Sequence, residues 1–116
     1  NAASEQEAKQ IGMSIAQSSL TKTAIFGEDA NWGRVVCAAG YSGIEFDFTK
    51  VSLKFGDLMV FEKGEPTGFS EARAKEILQK DAIVLTIDMG RGDKSWTVWT
   101  CDFSYDYVKI NADYRT

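Results

Sequence analysis

The C-terminal residues carry the polar groups best suited to hold a small ligand. Residues 105–116, YDYVKINADYRT, mix aromatic side chains with an Asn amide and a terminal hydroxyl. Because a purely polar tail usually frays, aromatic residues this close to the end predict that the tail docks on the fold. A docked tail would bring the terminal carboxylate, the Thr116 hydroxyl and the Asn111 amide into one small region. Such groups suit an amino-acid-like ligand, whose ammonium needs acceptors and whose carboxylate needs donors.

A second polar stretch, GEDANWGR at residues 27–34, lies between two apolar runs. One interpretation is structural: the acidic residues favour the positive end of the following helix, Trp32 fills the core and Arg34 pairs with an acid. The other is functional: a helix N-terminus beside carboxylates forms the wall of a polar pocket. Glu28 and Asp29 are adjacent and would usually point apart, so they make a poor acid/base pair and favour the structural interpretation.

Other reactive groups are few. Histidine is absent, which removes the Ser-His and Cys-His nucleophile pairs. Cys37 and Cys101 are too far apart in sequence for a CxxC pair or a zinc motif, so no metal site is expected. Both lie in apolar runs and are predicted to be buried. The RGD tripeptide, residues 91–93, is interpreted as the turn of a hairpin between two strands.

Composition predicts an ordinary globular protein. A chain of 116 residues fits a single domain spanning residues 1–116, and 44% hydrophobic with 26% charged residues is a typical balance. The net charge of −4 argues against nucleic acid as a partner, because nucleic-acid binders need a basic face. No apolar run approaches the roughly 20 residues of a membrane span, so no membrane interaction is expected.

Patterning predicts the elements that must position these groups. Capping residues and helical periodicity indicate helices at residues 4–18, from Asp29 or Asn31 to Gly40, and from Ser70 through Leu78. Alternation indicates strands at residues 51–55, 58–62, 83–89, 94–103 and 105–110. The run KSWTVWTCDF, residues 94–103, has large side chains on both faces, which indicates a central strand or one covered by another chain. The expected fold is α+β, with about three helices packed on a mainly antiparallel sheet of four to five strands.

The chain closely resembles the C-terminal part of the β chain of the ornithine acetyltransferase family. This family is also called the glutamate N-acetyltransferase, or bifunctional arginine biosynthesis, family. The similarity covers the whole chain and is strongest in KTAIFGEDANWGR (22–34), AAGYSG (38–43), GRGD (90–93) and CDFSYDYVKINADYRT (101–116).

The resemblance implies an enzyme that moves the acetyl group from N-acetylornithine to glutamate. Family members cleave themselves, and the new N-terminal Thr of the β chain becomes the nucleophile that forms an acyl-enzyme. No cofactor is implied, although some members accept acetyl-CoA as donor. The implied partners are the α chain and the N-terminal part of the β chain, in an α2β2-type assembly. The implied ligands are N-acetylornithine, glutamate and ornithine, in the cytoplasm or, in a eukaryote, the mitochondrial matrix.

The resemblance also limits what this chain does. No segment resembles the autocleavage site and residue 1 is Asn, so the nucleophile is expected outside this chain, which then holds no catalytic residue and is inactive alone. In the family, an Asn five positions before the end and the terminal Ser/Thr contact the amino-acid substrate. Those positions match Asn111 and Thr116, which are therefore the expected substrate-binding residues.

An alternative from another class is a free-standing α+β protein-binding module that uses an aromatic sheet face. The two hypotheses differ at Trp96–Phe103. An enzyme segment should expose this or another seam when alone, whereas a module should be soluble and monomeric by itself.

Overall fold

The structure is a computed structural model that describes residues 1–113 of the chain. Its five α-helices are α1 Glu5–Ala16, α2 Ser19–Phe26, α3 Trp32–Gly40, α4 Glu71–Leu78 and α5 Tyr105–Asp113. Its four strands are β1 Ser52–Phe55, β2 Leu58–Glu62, β3 Glu65–Pro66 and β4 Leu85–Asp88. The fold is α+β, as predicted, and the strand number lies in the predicted range. The helices outnumber the predicted three because α2 and α5 were not expected.

The sheet is antiparallel throughout, with strand order β3-β2-β1-β4. Leu53 of β1 lies opposite Ile87 of β4 on one side and Phe61 of β2 on the other. Gly56 makes the β1–β2 turn with a φ of 60°, a left-handed conformation that suits glycine. A Cβ at Gly56 would lie 3.2 Å from Cγ2 of Ile77, so the turn packs closely against α4. The strands predicted at 51–55 and 58–62 are thus confirmed, and they pair with each other.

The hydrophobic core joins the helices to the sheet. It is built from the inward positions of α1, α3, α4 and the strands, whose largest fully buried members are Phe55, Phe61, Ile11, Leu53, Val35, Val51 and Val60. Trp32 at the start of α3 stacks on Phe61 of β2, with ring centroids 5.1 Å apart, as a partly buried wall of this core. The prediction that Trp32 packs into the core is confirmed.

Side-chain caps fix where the helices begin. The Ser4 hydroxyl accepts the Glu7 backbone N–H at 3.1 Å, and the Asn31 side-chain Oδ1 accepts the Arg34 backbone N–H at 3.0 Å. Ser70 caps α4 in the same way. These contacts satisfy amides that the first helical turn leaves without partners, and they confirm the predicted starts of α1, α3 and α4. The unpredicted α2 begins in the same manner, with Ser18 accepting from Thr21 at 3.2 Å.

The C-terminal part differs from its prediction. Residues 95–104 form no strand, and the predicted strand at 105–110 is instead part of α5. The GRGD turn therefore joins no hairpin; only Lys94 forms a β-bridge, with Ala2. A strand needs a ladder partner for its backbone groups, whereas a helix satisfies its amides internally, so a segment lacking such a partner in residues 1–113 folds as helix or stays irregular.

Both cysteines are exposed, contrary to the prediction. Cys37 lies in a continuous apolar run, but a helix has only one inward face, and Val35, Val36, Ala38 and Ala39 occupy it. Cys101 lies in the irregular segment, where no sheet covers it. None of the helices in residues 1–113 is long and apolar enough to cross a membrane.

Candidate substrate-binding site

Asn111, one of the two expected substrate-binding residues, lies on the exposed surface of α5. The other, Thr116, lies outside the described residues, so the structure does not test whether the two side chains meet. The terminal carboxylate that was expected beside them lies there too.

Aromatic contacts hold the start of α5 against α2. Tyr105 packs edge-to-face on Phe26 of α2, with ring centroids 5.5 Å apart. The ammonium of Lys22 lies 4.7 Å from the centre of the Phe103 ring, and the Phe103 N–H donates to the Lys22 carbonyl at 3.4 Å. These contacts anchor the N-terminal end of α5, the helix that carries Asn111, on α2.

The GEDANWGR stretch builds the corner between α2 and α3. Asp29 receives an Asn31 side-chain N–H at 3.1 Å, and the carboxylate of Glu28 accepts from Gln79 at 3.3 Å. Glu28 also lies 3.8 Å from the Lys75 ammonium, so this carboxylate ties the corner to α4. Its φ of 58° places it in a conformation that a non-glycine residue seldom adopts. These contacts support the structural interpretation of the stretch.

One expected contact in this corner is wrong. Arg34 was predicted to pair with an acid, but its guanidinium donates to the Leu20 carbonyl of α2 at 3.1 Å. The reason is geometric: the Asn31 cap starts α3 beside α2, which brings the Arg34 guanidinium to a backbone oxygen of that helix.

Two grooves run along the outer side of α3. The larger has a volume of about 480 Å³ and is mainly apolar, with lining residues Trp32, Val36, Cys37, Tyr41, Phe46 and Phe48. The smaller, of about 330 Å³, includes Asn31 and Arg34 in its wall. The corner stretch thus also contributes to a groove wall. Neither groove holds a facing pair of carboxylates, so both are suited to contact rather than acid/base chemistry.

A long-range ion pair connects GRGD to α1. The Arg91 guanidinium donates to both Glu7 carboxylate oxygens at 3.0 Å, and the Ala3 N–H donates to the same carboxylate at 2.8 Å. The Arg91 hydrogen bonds, followed by the Ala3 N–H, lower the pKa of Glu7. Glu7 is buried, so this ion pair holds the loop in place and is not a free acid for catalysis.

Sequence reasoning missed this ion pair. Ser4 and Glu7 have the spacing of a capping box, in which the Glu7 carboxylate would accept from the Ser4 backbone N–H. It accepts from Ala3 and Arg91 instead. Nothing local links Glu7 to a residue so far along the chain. Among residues 1–113, no group of three or more metal-ligating side chains comes together.

Comparisons with known proteins agree on one family. A model of the ArgJ family matches residues 1–116. The protein named arginine biosynthesis bifunctional protein ArgJ from Symbiobacterium thermophilum is 48% identical over 99% of this chain and 29% of its own length. Its mitochondrial namesake from Schizosaccharomyces pombe is 47% identical over 99% of this chain and 27% of its own length.

A solved structure is also similar. The crystal structure of the ArgJ protein from Bacillus halodurans superposes with a TM-score of 0.93 at 43% identity. The match covers 97% of this chain and 54% of that one. The chain thus spans less than a third of the length of the curated relatives it matches, and about half of the crystallised chain.

Proposed function

The chain belongs to the ArgJ family, and we propose from that membership that it is the C-terminal segment of an acetyltransferase β chain. The complete enzyme would move the acetyl group from N-acetylornithine to glutamate in arginine biosynthesis. The observation that carries this proposal is the family match over residues 1–116, together with relatives named as arginine biosynthesis bifunctional proteins.

The proposed chemistry is covalent catalysis in two steps, acetylation of a threonine and transfer of the acetyl group to glutamate. The hydroxyl oxygen of an N-terminal threonine, exposed by self-cleavage outside this chain, attacks the acetyl carbonyl carbon of N-acetylornithine. The amide C–N bond breaks, the hydroxyl proton passes to the departing amine, and ornithine leaves an acetyl ester on the threonine. The amine of glutamate then attacks the carbonyl carbon of that ester. The C–O bond to threonine breaks, a proton of the amine passes to the threonine oxygen, and N-acetylglutamate leaves. This transfer needs no cofactor, and acetyl-CoA is proposed as an additional donor in some members only.

In this scheme the residues of this chain bind and orient the substrate. Asn111 would hydrogen-bond the α-amino or carboxylate group, and Thr116 would contribute from the end of the chain. Two facts support Asn111 for this role: its place on the exposed surface of α5, and the contacts that anchor the start of α5 on α2. Orientation of this kind affects the rate strongly, because small misplacements of reacting groups are costly.

The proposed partners are the α chain and the N-terminal part of the β chain, in an α2β2-type assembly. The relatives' greater length supports this, since most of each relative lies outside the matched part. The proposed compartment is the cytoplasm, or the mitochondrial matrix in a eukaryote, because relatives named mitochondrial occur beside bacterial ones.

The binding-module alternative shares one supporting observation with the enzyme. Aromatic side chains such as Trp99 and Tyr105 are largely exposed, which suits a partner of either kind. The family match favours the enzyme. Under that hypothesis, the partner that covers these side chains is the remaining part of the same enzyme.

The test is acetyl transfer from N-acetylornithine to glutamate by the complete enzyme, followed as ornithine release. Asn111→Ala should raise KM or lower kcat by about 10- to 100-fold, the loss of a hydrogen bond to a charged group. Lys109→Ala on the same helix is the matched control and should leave both constants unchanged. A tag fused after Thr116 should impair transfer as well.

Three results would contradict the proposal. An inactive wild-type enzyme would refute the acetyltransferase function. Unchanged kinetics in both Asn111→Ala and the tagged enzyme would refute the substrate-binding role. Turnover by the 116-residue chain alone would refute a nucleophile outside it.

A further inference from the structure

Residues 95–103, which we call the tryptophan segment, have no regular secondary structure and contact α1. Three side chains at every second position contact the helix. The Lys9 ammonium lies 5.5 Å from the centre of the Trp96 ring. The Thr100 hydroxyl donates to the Ala16 carbonyl at 3.1 Å. Between them, Val98 packs on Gly12: a Cβ added at Gly12 would lie 3.0 Å from a methyl carbon of Val98.

These contacts have the spacing of a strand lying against a helix. Lys9, Gly12 and Ala16 share one helical face, and Lys9 to Ala16 covers about 10 Å at the helical rise. Trp96 to Thr100 covers about 13 Å at the rise of a strand. The segment therefore runs beside α1 in the same direction, with alternate side chains turned toward the helix.

The other face of the tryptophan segment is uncovered. Thr97, Trp99 and Cys101 are exposed, and Trp99 keeps 91% of its surface accessible. Within residues 1–113, the backbone N–H groups of 95–102 donate to no other backbone group. A row of unpaired backbone groups beside exposed aromatic and β-branched side chains is the usual template for another strand.

We propose that the tryptophan segment is a β-strand completed by a strand from the part of the enzyme outside this chain. The occupant is backbone of the same enzyme, which pairs with the free edge and covers Trp99, as in β-strand addition. The length of the relatives supports this choice: nearly half of the crystallised relative lies beyond the match, as does most of the curated ones. The inference rests on the proposed function for the existence of that larger enzyme.

Hydrogen exchange on the complete enzyme tests the pairing. At least every second amide of residues 96–102 should exchange about 100-fold or more slower than an unstructured amide, because ladder hydrogen bonds protect them. Free exchange along the whole segment would overturn the proposal. This measurement needs no variant, so it stays decisive even if substitutions in the segment prevent folding.

Photo-crosslinking identifies the occupant. A photoreactive phenylalanine analogue in place of Trp99 should crosslink to a peptide outside residues 1–116 in the complete enzyme. The same analogue in place of Val98, which faces α1, is the matched control and should crosslink to α1. A Trp99 crosslink that maps within residues 1–116, from the same or a second copy, would overturn the proposal.

The acetyl-transfer assay on the same preparation separates the two proposals. Protected amides and an outside crosslink in an enzyme without acetyl transfer would support the strand and refute the activity. Acetyl transfer together with freely exchanging amides would support the activity and refute the strand.

Discussion

Residues 1–93 and residues 94–113 are stabilised in different ways. In the first region, the strands pair with one another. Side chains of the sheet and of the helices, such as Leu53 in β1 and Val35 in α3, are buried completely or nearly so. In the second, the contacts are the Lys94–Ala2 bridge, one backbone hydrogen bond from Phe103 to Lys22, and a few side chains on α1 and α2. Trp99 and Tyr105 remain largely exposed. The difference teaches that the first region buries its large apolar side chains within the chain, whereas the second leaves large aromatic side chains exposed.

The largest predicted effect separates the two regions directly. Leu53→Ala in β1 should lower the free energy of unfolding of the chain by about 2–5 kcal/mol, since it leaves a cavity in a fully buried site. Trp99→Ala should change it by less than about 0.5 kcal/mol, because the side chain is exposed. Urea denaturation measures both, and equal losses would break the comparison.

The next effect tests the loop that joins the regions. Gly90 has a φ of 62°, and a Cβ there would lie 2.8 Å from the Lys50 carbonyl oxygen. Gly90→Ala should therefore destabilise the chain by about 1–3 kcal/mol through backbone strain. Gly40→Ala is the control: its site in α3 has open space, so it should be neutral or stabilising by up to about 1 kcal/mol. Thermal unfolding measures both variants, and equal melting temperatures for the two would contradict this prediction.

A smaller effect tests the helix entry in GEDANWGR. Asn31→Ala removes the acceptor of the Arg34 N–H and should cost about 1 kcal/mol of unfolding free energy. Asn31→Ser keeps a capping oxygen and should retain most of the stability. If chemical denaturation finds both variants as stable as the wild type, the corner is not held by its cap.

The smallest effect concerns pH. The folded-state pKa of Glu7 is lowered, so its ionised form stabilises the fold above the unfolded-state value of about 4.3. This stabilisation is lost as pH falls from there through the lower folded-state pKa. Glu7→Gln should therefore reduce the drop in stability below about pH 4.3, measured by unfolding at several pH values. Glu5→Gln, at an exposed site on the same helix, should keep the drop.

Prediction from sequence succeeded where the determining contacts are local. The caps at Ser4, Asn31 and Ser70 depend on residues three positions apart, and alternation in β1 marks the face that Leu53 buries. It failed for the Glu7–Arg91 ion pair, because nothing local links residues so distant in sequence. It failed for Cys37 because a continuous apolar run does not show which side of a helix faces the core.

The candidate site was less predictable than the fold. Asn111 was chosen through a family resemblance, and its residue type alone would not distinguish it from other exposed polar residues. The large side chains on both faces of 94–103 predicted a strand, but these residues form no strand within 1–113. Large side chains on both faces suit a strand that is covered on both sides, but the pattern does not show which element covers it.

Native mass spectrometry of the protein purified from its own cells tests most directly whether this chain is part of a larger enzyme. We predict that the residues of this chain occur in an assembly with further polypeptide, one piece of which begins with threonine. A lone monomer of 12.8 kDa would contradict that account and favour the binding module.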